Sequence, residues 1–103
     1  MRIRKIGRNK ALRMKKKEFD NYRGFLNNSG DPCQVCEENY LLDPPHHEPN
    51  TYDKDDKYQL RICVNCHRIR HTGDVKTLKK TLVEMEEIAV NNWETYQEYE
   101  GAF

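Results

Sequence analysis

Two C-x-x-C units stand out in the chain. They are Cys33–Cys36 in "CQVC" and Cys63–Cys66 in "CVNC", with 26 residues between them. Each unit brings two thiolates to one side of a tight turn. Four thiolates satisfy the tetrahedral preference of zinc, at about 2.3 Å per Zn–S bond. All four cysteines of the chain are used. The spacing predicts a structural zinc ion held by Cys33, Cys36, Cys63 and Cys66. A redox dithiol of the thioredoxin type would sit in a βαβ pattern, which the sequence lacks. A closed tetrathiolate site has no open coordination position, so any chemistry must come from other residues.

The four histidines, His46, His47, His67 and His71, lie inside or just beyond this frame. His67 and His71 are spaced i, i+4, which puts them on one face of a helix and makes a platform for a divalent cation. "DPPHHEPN", 43–50, carries two imidazoles in a stretch with neither helical nor strand rhythm. Neighbours on an extended segment point in opposite directions, so one imidazole of this pair can bind metal while the other acts as a base. A near-neutral pKa suits a group that takes a proton from water. The metal would place positive charge beside a leaving oxygen and a scissile phosphate.

Other elements must position these groups. Residues 8–27 read as a basic helix with Leu12, Phe19, Tyr22 and Phe25 or Leu26 in one stripe and Met14 off it. "NNSGDP", 27–32, stops it. "YLL", 40–42, and "YQLRIC", 58–63, read as the two strands of a hairpin with a long, irregular connection. "VNCHRIRH", 64–71, starts a short helix. Asp74 is a candidate N-cap for a long helix over 75–99, whose Leu78, Leu82, Met85, Ala89, Trp93 and Tyr96 recur at three and four. The expected architecture is a single α+β domain over 1–103. It has a basic arm at 1–30, a zinc-stapled core at 31–74 and an acidic amphipathic helix at 75–103.

Composition explains why a staple is needed. Only 36% of the residues are hydrophobic and 34% are charged, which leaves a thin core in a chain of 103 residues. The net charge of +1 conceals blocks: +8 over 1–25, −7 over 26–56, +6 over 57–80 and −6 over 81–103. Basic blocks beside the candidate site point to a polyanionic partner. No apolar run of ~18 residues is present, so no membrane span is expected. No apolar segment follows the basic N-terminus, so no secretory signal is expected either. Paired cysteines without a signal fit a reducing compartment.

The pattern C-x2-C … HH … L-x-I-C-x2-C-H-x3-H resembles the HNH, or His-Me finger, endonucleases with a four-cysteine zinc-ribbon frame. The likeness runs from residue 33 to about 74. "PCQVC … DPPHH … LRICVNCHRIRHTGD" is similar to small HNH-like nucleases of prophages linked to recombination functions. The resemblance implies a ββα-metal core, with His47 as the general base and His46, His67 and His71 as ligands of a catalytic Mg2+, Mn2+, Ni2+ or Zn2+. It also implies a bacterial or phage-infected host cytoplasm. The family's central Asn falls at Tyr58, and Asn50, Asp55 and Asp56 are the candidates to replace it.

The function expected is metal-dependent hydrolysis of phosphodiester bonds in DNA, structure-selective or weakly sequence-specific, with RNA left open. Arg61, Arg68 and Arg70, and Arg8, Lys10, Arg13, Lys15, Lys16 and Lys17 in the arm, are the expected phosphate contacts. The alternative is a catalytically silent zinc-ribbon module that binds DNA or a protein. Met85, Trp93, Tyr96 and Tyr99 offer a face for packing or for a homodimer through the C-terminal helix.

Overall fold

The computed structural model describes residues 13–28, 30–48 and 55–101. These form an α+β fold of three α-helices and one two-stranded antiparallel sheet. The helices are α1 (Lys16–Leu26), α2 (Val64–Thr72) and α3 (Leu82–Gly101), and the strands are β1 (His46–His47) and β2 (Gln59–Leu60). His46 pairs with Leu60 and His47 with Gln59. None of the described helices is long and apolar enough to cross a membrane.

The hairpin differs from its sequence pattern. The first strand falls at His46–His47 rather than at 40–42, where Leu42 makes only an isolated bridge with Cys63. Leu41 O accepts Val64 N–H, and Ile62 O accepts Asp43 N–H. The apolar run therefore flanks the end of the second strand, while Tyr40 and Leu41 stay exposed. Beyond Pro44–Pro45 the chain re-enters the ladder, which Glu48 N–H extends to Tyr58 O.

Two small cores support this hairpin. The first gathers Val35, Leu60, Ile62, Met85 and Ala89 around Cys33, Cys63 and Cys66. The second packs Tyr22 and Leu26 of α1 against Tyr96 of α3, with Trp93, Phe25 and Met14 at its edge. Met14 thus joins the packing that its place off the helical stripe argued against. The Tyr22 and Tyr96 rings are 4.9 Å apart and those of Phe25 and Tyr96 are 5.2 Å apart, which is normal aromatic packing. The apolar stripe of the C-terminal helix is thereby largely used inside the chain, apart from Leu82 and Tyr99, which are exposed.

A buried polar network locks the two halves together. Gln34 Nε2 donates to Asn92 Oδ1 at 3.0 Å, and Asn92 Nδ2 donates to Gln34 Oε1 at 2.8 Å and to Gln59 O at 3.0 Å. Gln34 lies inside the first C-x-x-C unit, so α3 is pinned directly to the cysteine turn.

The long helix begins at Leu82, seven residues after the expected start. Asp74 does act as a cap, but of a single 3-10 turn, Val75–Thr77, which it holds through Lys76 N–H. The reason lies at Thr81 and Glu84. Glu84 N–H donates to Thr81 Oγ1 and Thr81 N–H donates to Glu84 Oε1, a capping box that satisfies two end donors of the helix at once.

Two substitutions test this account in chemical denaturation at fixed metal concentration. Thr81→Ala is expected to cost about 1 kcal/mol, as a lost cap. Asn92→Ala is expected to cost more, about 2 kcal/mol, because it strands the Gln34 amide and the Gln59 carbonyl in the interior.

Candidate functional site

The four cysteines converge. All four sulfurs lie within 4.8 Å of one another, and the Cys36 and Cys63 Sγ atoms are 3.9 Å apart. A tetrahedral ion with bonds of about 2.3 Å needs edges of about 3.8 Å, so the cluster can hold a metal ion. Backbone N–H groups point at the sulfurs. Cys33 Sγ faces Val35 N, Cys36 N and Cys63 N at 3.3, 3.5 and 3.3 Å, and Cys63 Sγ faces Cys66 N at 3.4 Å. Cys63 is also the residue that caps α2. The first turn is closed by Glu37, which adopts a left-handed φ of 65° and donates its N–H to Cys33 O.

The electrostatics of the cluster ask for a cation. Burial disfavours the Cys33 thiolate, but the N–H groups of Cys36, Cys63 and Val35 outweigh burial and lower its pKa. Burial and the nearby Cys63 and Cys33 sulfurs push the Cys66 thiol up. Four sulfurs this close cannot all ionise without a central positive charge.

A second group of ligands forms between β1 and α2. His46, His67 and His71 offer nitrogens within 4.8 Å of one another. The helical i, i+4 spacing places His67 Nε2 and His71 Nε2 3.1 Å apart, and the ladder brings the His46 ring to 5.1 and 4.9 Å from theirs. Imidazoles sharing an ion at 2.0–2.1 Å stand about 3–3.4 Å apart, so the helix pair already has the spacing of two ligands. Asp43 Oδ2 lies 2.9 Å from His67 Nδ1. A carboxylate only accepts, so Nδ1 carries the proton and Nε2 keeps its lone pair. His46 Nε2 is buried without a hydrogen-bond partner. Glu48 Oε2 is 3.4 Å from it, outside hydrogen-bonding geometry. A buried, unsatisfied ring nitrogen beside two others fits a cation.

Glu48 and Arg70 frame this cluster from below. Arg70 Nε and Nη2 donate to the two Glu48 oxygens at 2.9 Å each. Burial alone would raise the Glu48 carboxyl, but His46 and the Arg70 fork hold it down at about 2. The guanidinium of Arg70, one of the expected phosphate contacts, instead answers a carboxylate that is only 2% exposed.

His47 points away from the triad, as its place beside His46 on a strand requires. Its Nε2 lies 3.3 Å from Asp56 Oδ1, and its ring stacks on Phe19 of α1 at 6.5 Å between centroids. Asp56 Oδ2 also accepts Met14 N–H at 2.9 Å. Of the two described candidates for the central Asn position, Asp56 meets His47. Asp55 instead closes the turn through Lys57 N–H, and Asn50 lies outside the described residues. Tyr58 packs on the cysteine core.

One pocket of about 320 Å³ joins these parts, lined by Arg23, Asp43, Pro44, Pro45, His46, His47, His67 and His71. Arg23, Asp43 and Glu48 join the site without a sequence signal of their own, whereas Asp56 is one of the candidates for the central Asn position. The contacts of Arg23 with Pro45, Asp43 with His67 and Glu48 with Arg70 each span more than 20 residues, and an i, i+3 or i, i+4 pattern carries no mark for them. The remaining basic residues divide. Arg61 is tied to Leu26 O, Pro32 O and Asp31. Arg68, Arg13, Lys15, Lys16 and Lys17 are exposed, Lys16 pairing with Asp20. Arg8 and Lys10 lie outside the described residues.

Two ions per chain are expected when metal is supplied. Cobalt(II) substitution separates them, because only the thiolate site gives intense sulfur-to-metal charge-transfer absorption. Cys63→Ser should abolish that band together with cooperative unfolding. His71→Ala should keep the band and lose one equivalent of bound cobalt.

Comparison of the chain with protein-family models, with curated proteins and with solved structures gives no match.

Proposed function

We propose that the protein is a metal-dependent endonuclease of the HNH, or His-Me finger, type that hydrolyses phosphodiester bonds in DNA. In this reading β1, β2 and α2 are its ββα-metal core, and the four cysteines hold a structural zinc. The observation that carries it is the separation of roles at His46–His47. One imidazole joins His67 and His71, and its neighbour pairs with a carboxylate, both lining one pocket.

The chain's own residues supply the following chemistry. With its Nε2–H directed at Asp56, His47 has its lone pair on Nδ1. That atom takes a proton from water as the water oxygen bonds to phosphorus and the bond from phosphorus to the 3′ oxygen breaks. Asp56 fixes the tautomer and stabilises the imidazolium that results. His46, His67 and His71 would hold a divalent ion, which supplies positive charge at the departing 3′ oxygen. The exposed Arg13, Lys15, Lys17 and Arg68 supply sequence-independent attraction to the backbone.

The test is nicking of supercoiled plasmid with Mg2+, Mn2+, Ni2+ or Zn2+. His47→Ala should lose at least about a hundredfold in rate, the scale of general-base catalysis, while keeping both bound ions. Asp56→Asn should lose less and shift the pH profile. Equal rates in wild type and His47→Ala would refute the assignment. DNA binding by the wild type without cleavage at any ion would instead identify a catalytically silent zinc-ribbon module.

A further inference from the structure

The pocket is lined by the Arg23 guanidinium, which has no direct counter-charge among the described residues. Arg23 stands on α1, one turn after Phe19, and its Cζ lies 4.9 Å from the Phe19 ring centroid. Phe19 in turn stacks on His47. Arg23 Nη2 donates to Pro45 O at 3.2 Å, across the loop that delivers the histidine pair. Its Nε is buried and has no hydrogen-bond partner.

The other two arginines near the hairpin set the contrast. Arg61 finds Pro32 O, Leu26 O and Asp31, and Arg70 finds both oxygens of Glu48. Among the described residues Arg23 forms no such ion pair. Burial disfavours its cation, and Asp20 and Asp56 offset this only through space. Holding Pro45 O uses one of five N–H donors, so a purely structural role leaves the buried Nε–H unexplained. Asp43, the carboxylate lining the pocket, is directed at His67 Nδ1. A planar fork with unused donors, lining the same pocket as an imidazole cluster that could carry a cation, suits an anion with several oxygens.

We propose that Arg23 is the anion-binding residue of this pocket, taking a non-bridging oxygen of a phosphate diester that lies between it and the His46–His67–His71 cluster. The proposal rests on the phosphodiesterase reading for the identity of the anion and assigns a substrate contact to a helix outside the hairpin and α2. Phe19 and Pro45 O aim the guanidinium, which orders the fork before the ligand arrives.

The experiment is titration of dimethyl phosphate into full-length protein loaded with zinc, followed by calorimetry. Arg23→Gln is expected to weaken binding about tenfold, the usual scale of one charge-assisted hydrogen-bond pair, with bound zinc and thermal midpoint unchanged. Arg23→Lys should recover part of the loss, since it restores charge without the fork. In the wild type, the Arg23 Nε–H resonance should move on addition of the diester, a readout that survives if the glutamine variant fails to fold. Wild-type affinity in Arg23→Gln, an unmoved Nε–H resonance, or no binding by the wild type would overturn the proposal. Diester binding through Arg23 in a protein that cleaves no plasmid would remove the nuclease reading and leave the anion site standing.

Discussion

The fold depends on four sulfur atoms being held together. The ladder between β1 and β2 is two residues per strand, too short to fix its own register in water. What fixes it is the joining of the turn at 33–36 to the turn at 63–66. The N–H groups aimed at Cys33 come from both turns, so the sulfur of one segment organises the backbone of the other. The first core then wraps this cluster, and Gln34 and Asn92 attach the long helix to it. A chain with so little apolar surface has few other ways to order a loop-rich middle.

The candidate site follows from that constraint by short steps. Cys63 lies three residues beyond β2 and caps α2, so His67 and His71 are set one and two turns into a helix whose start is fixed. Leu60, three residues before Cys63, pairs with His46, which brings the loop imidazole over the same helix face. Carboxylates then orient the rings. Asp43 reaches His67, Asp56 reaches His47, and Glu48 with Arg70 supports the buried side of His46. The acidic character of the 26–56 segment is thus partly absorbed by these imidazoles and by Arg70.

The same principle divides the arginines. A guanidinium near a site can serve the fold or a ligand, and only its partners decide which. Arg61 and Arg70 bind carbonyls and carboxylates within the chain, whereas Arg23 reaches the pocket from a helix packed on α3 through Tyr22, Phe25 and Tyr96. The α1–α3 aromatic contact does more than bury surface, because α1 also carries Arg23, which lines the pocket, and Phe19, which stacks on His47.

The sequence by itself determined the α+β class, the cysteine quartet, the i, i+4 histidine pair and the helical stripe from Met85 to Tyr96. These rest on local spacing, and spacing is read along the chain. It misplaced the first strand, because an apolar run such as Tyr40–Leu42 looks like a strand whether or not a partner lies opposite. It began the last helix too early, because Asp74 and Thr81 are both competent caps and only packing selects between them. Tertiary structure alone decided that Asp56 meets His47, that Arg70 belongs to Glu48 and that Arg23 enters the pocket. Each is a contact across 9 to 22 residues or more, made by the fold's closure around the thiol cluster and by no periodicity in the chain.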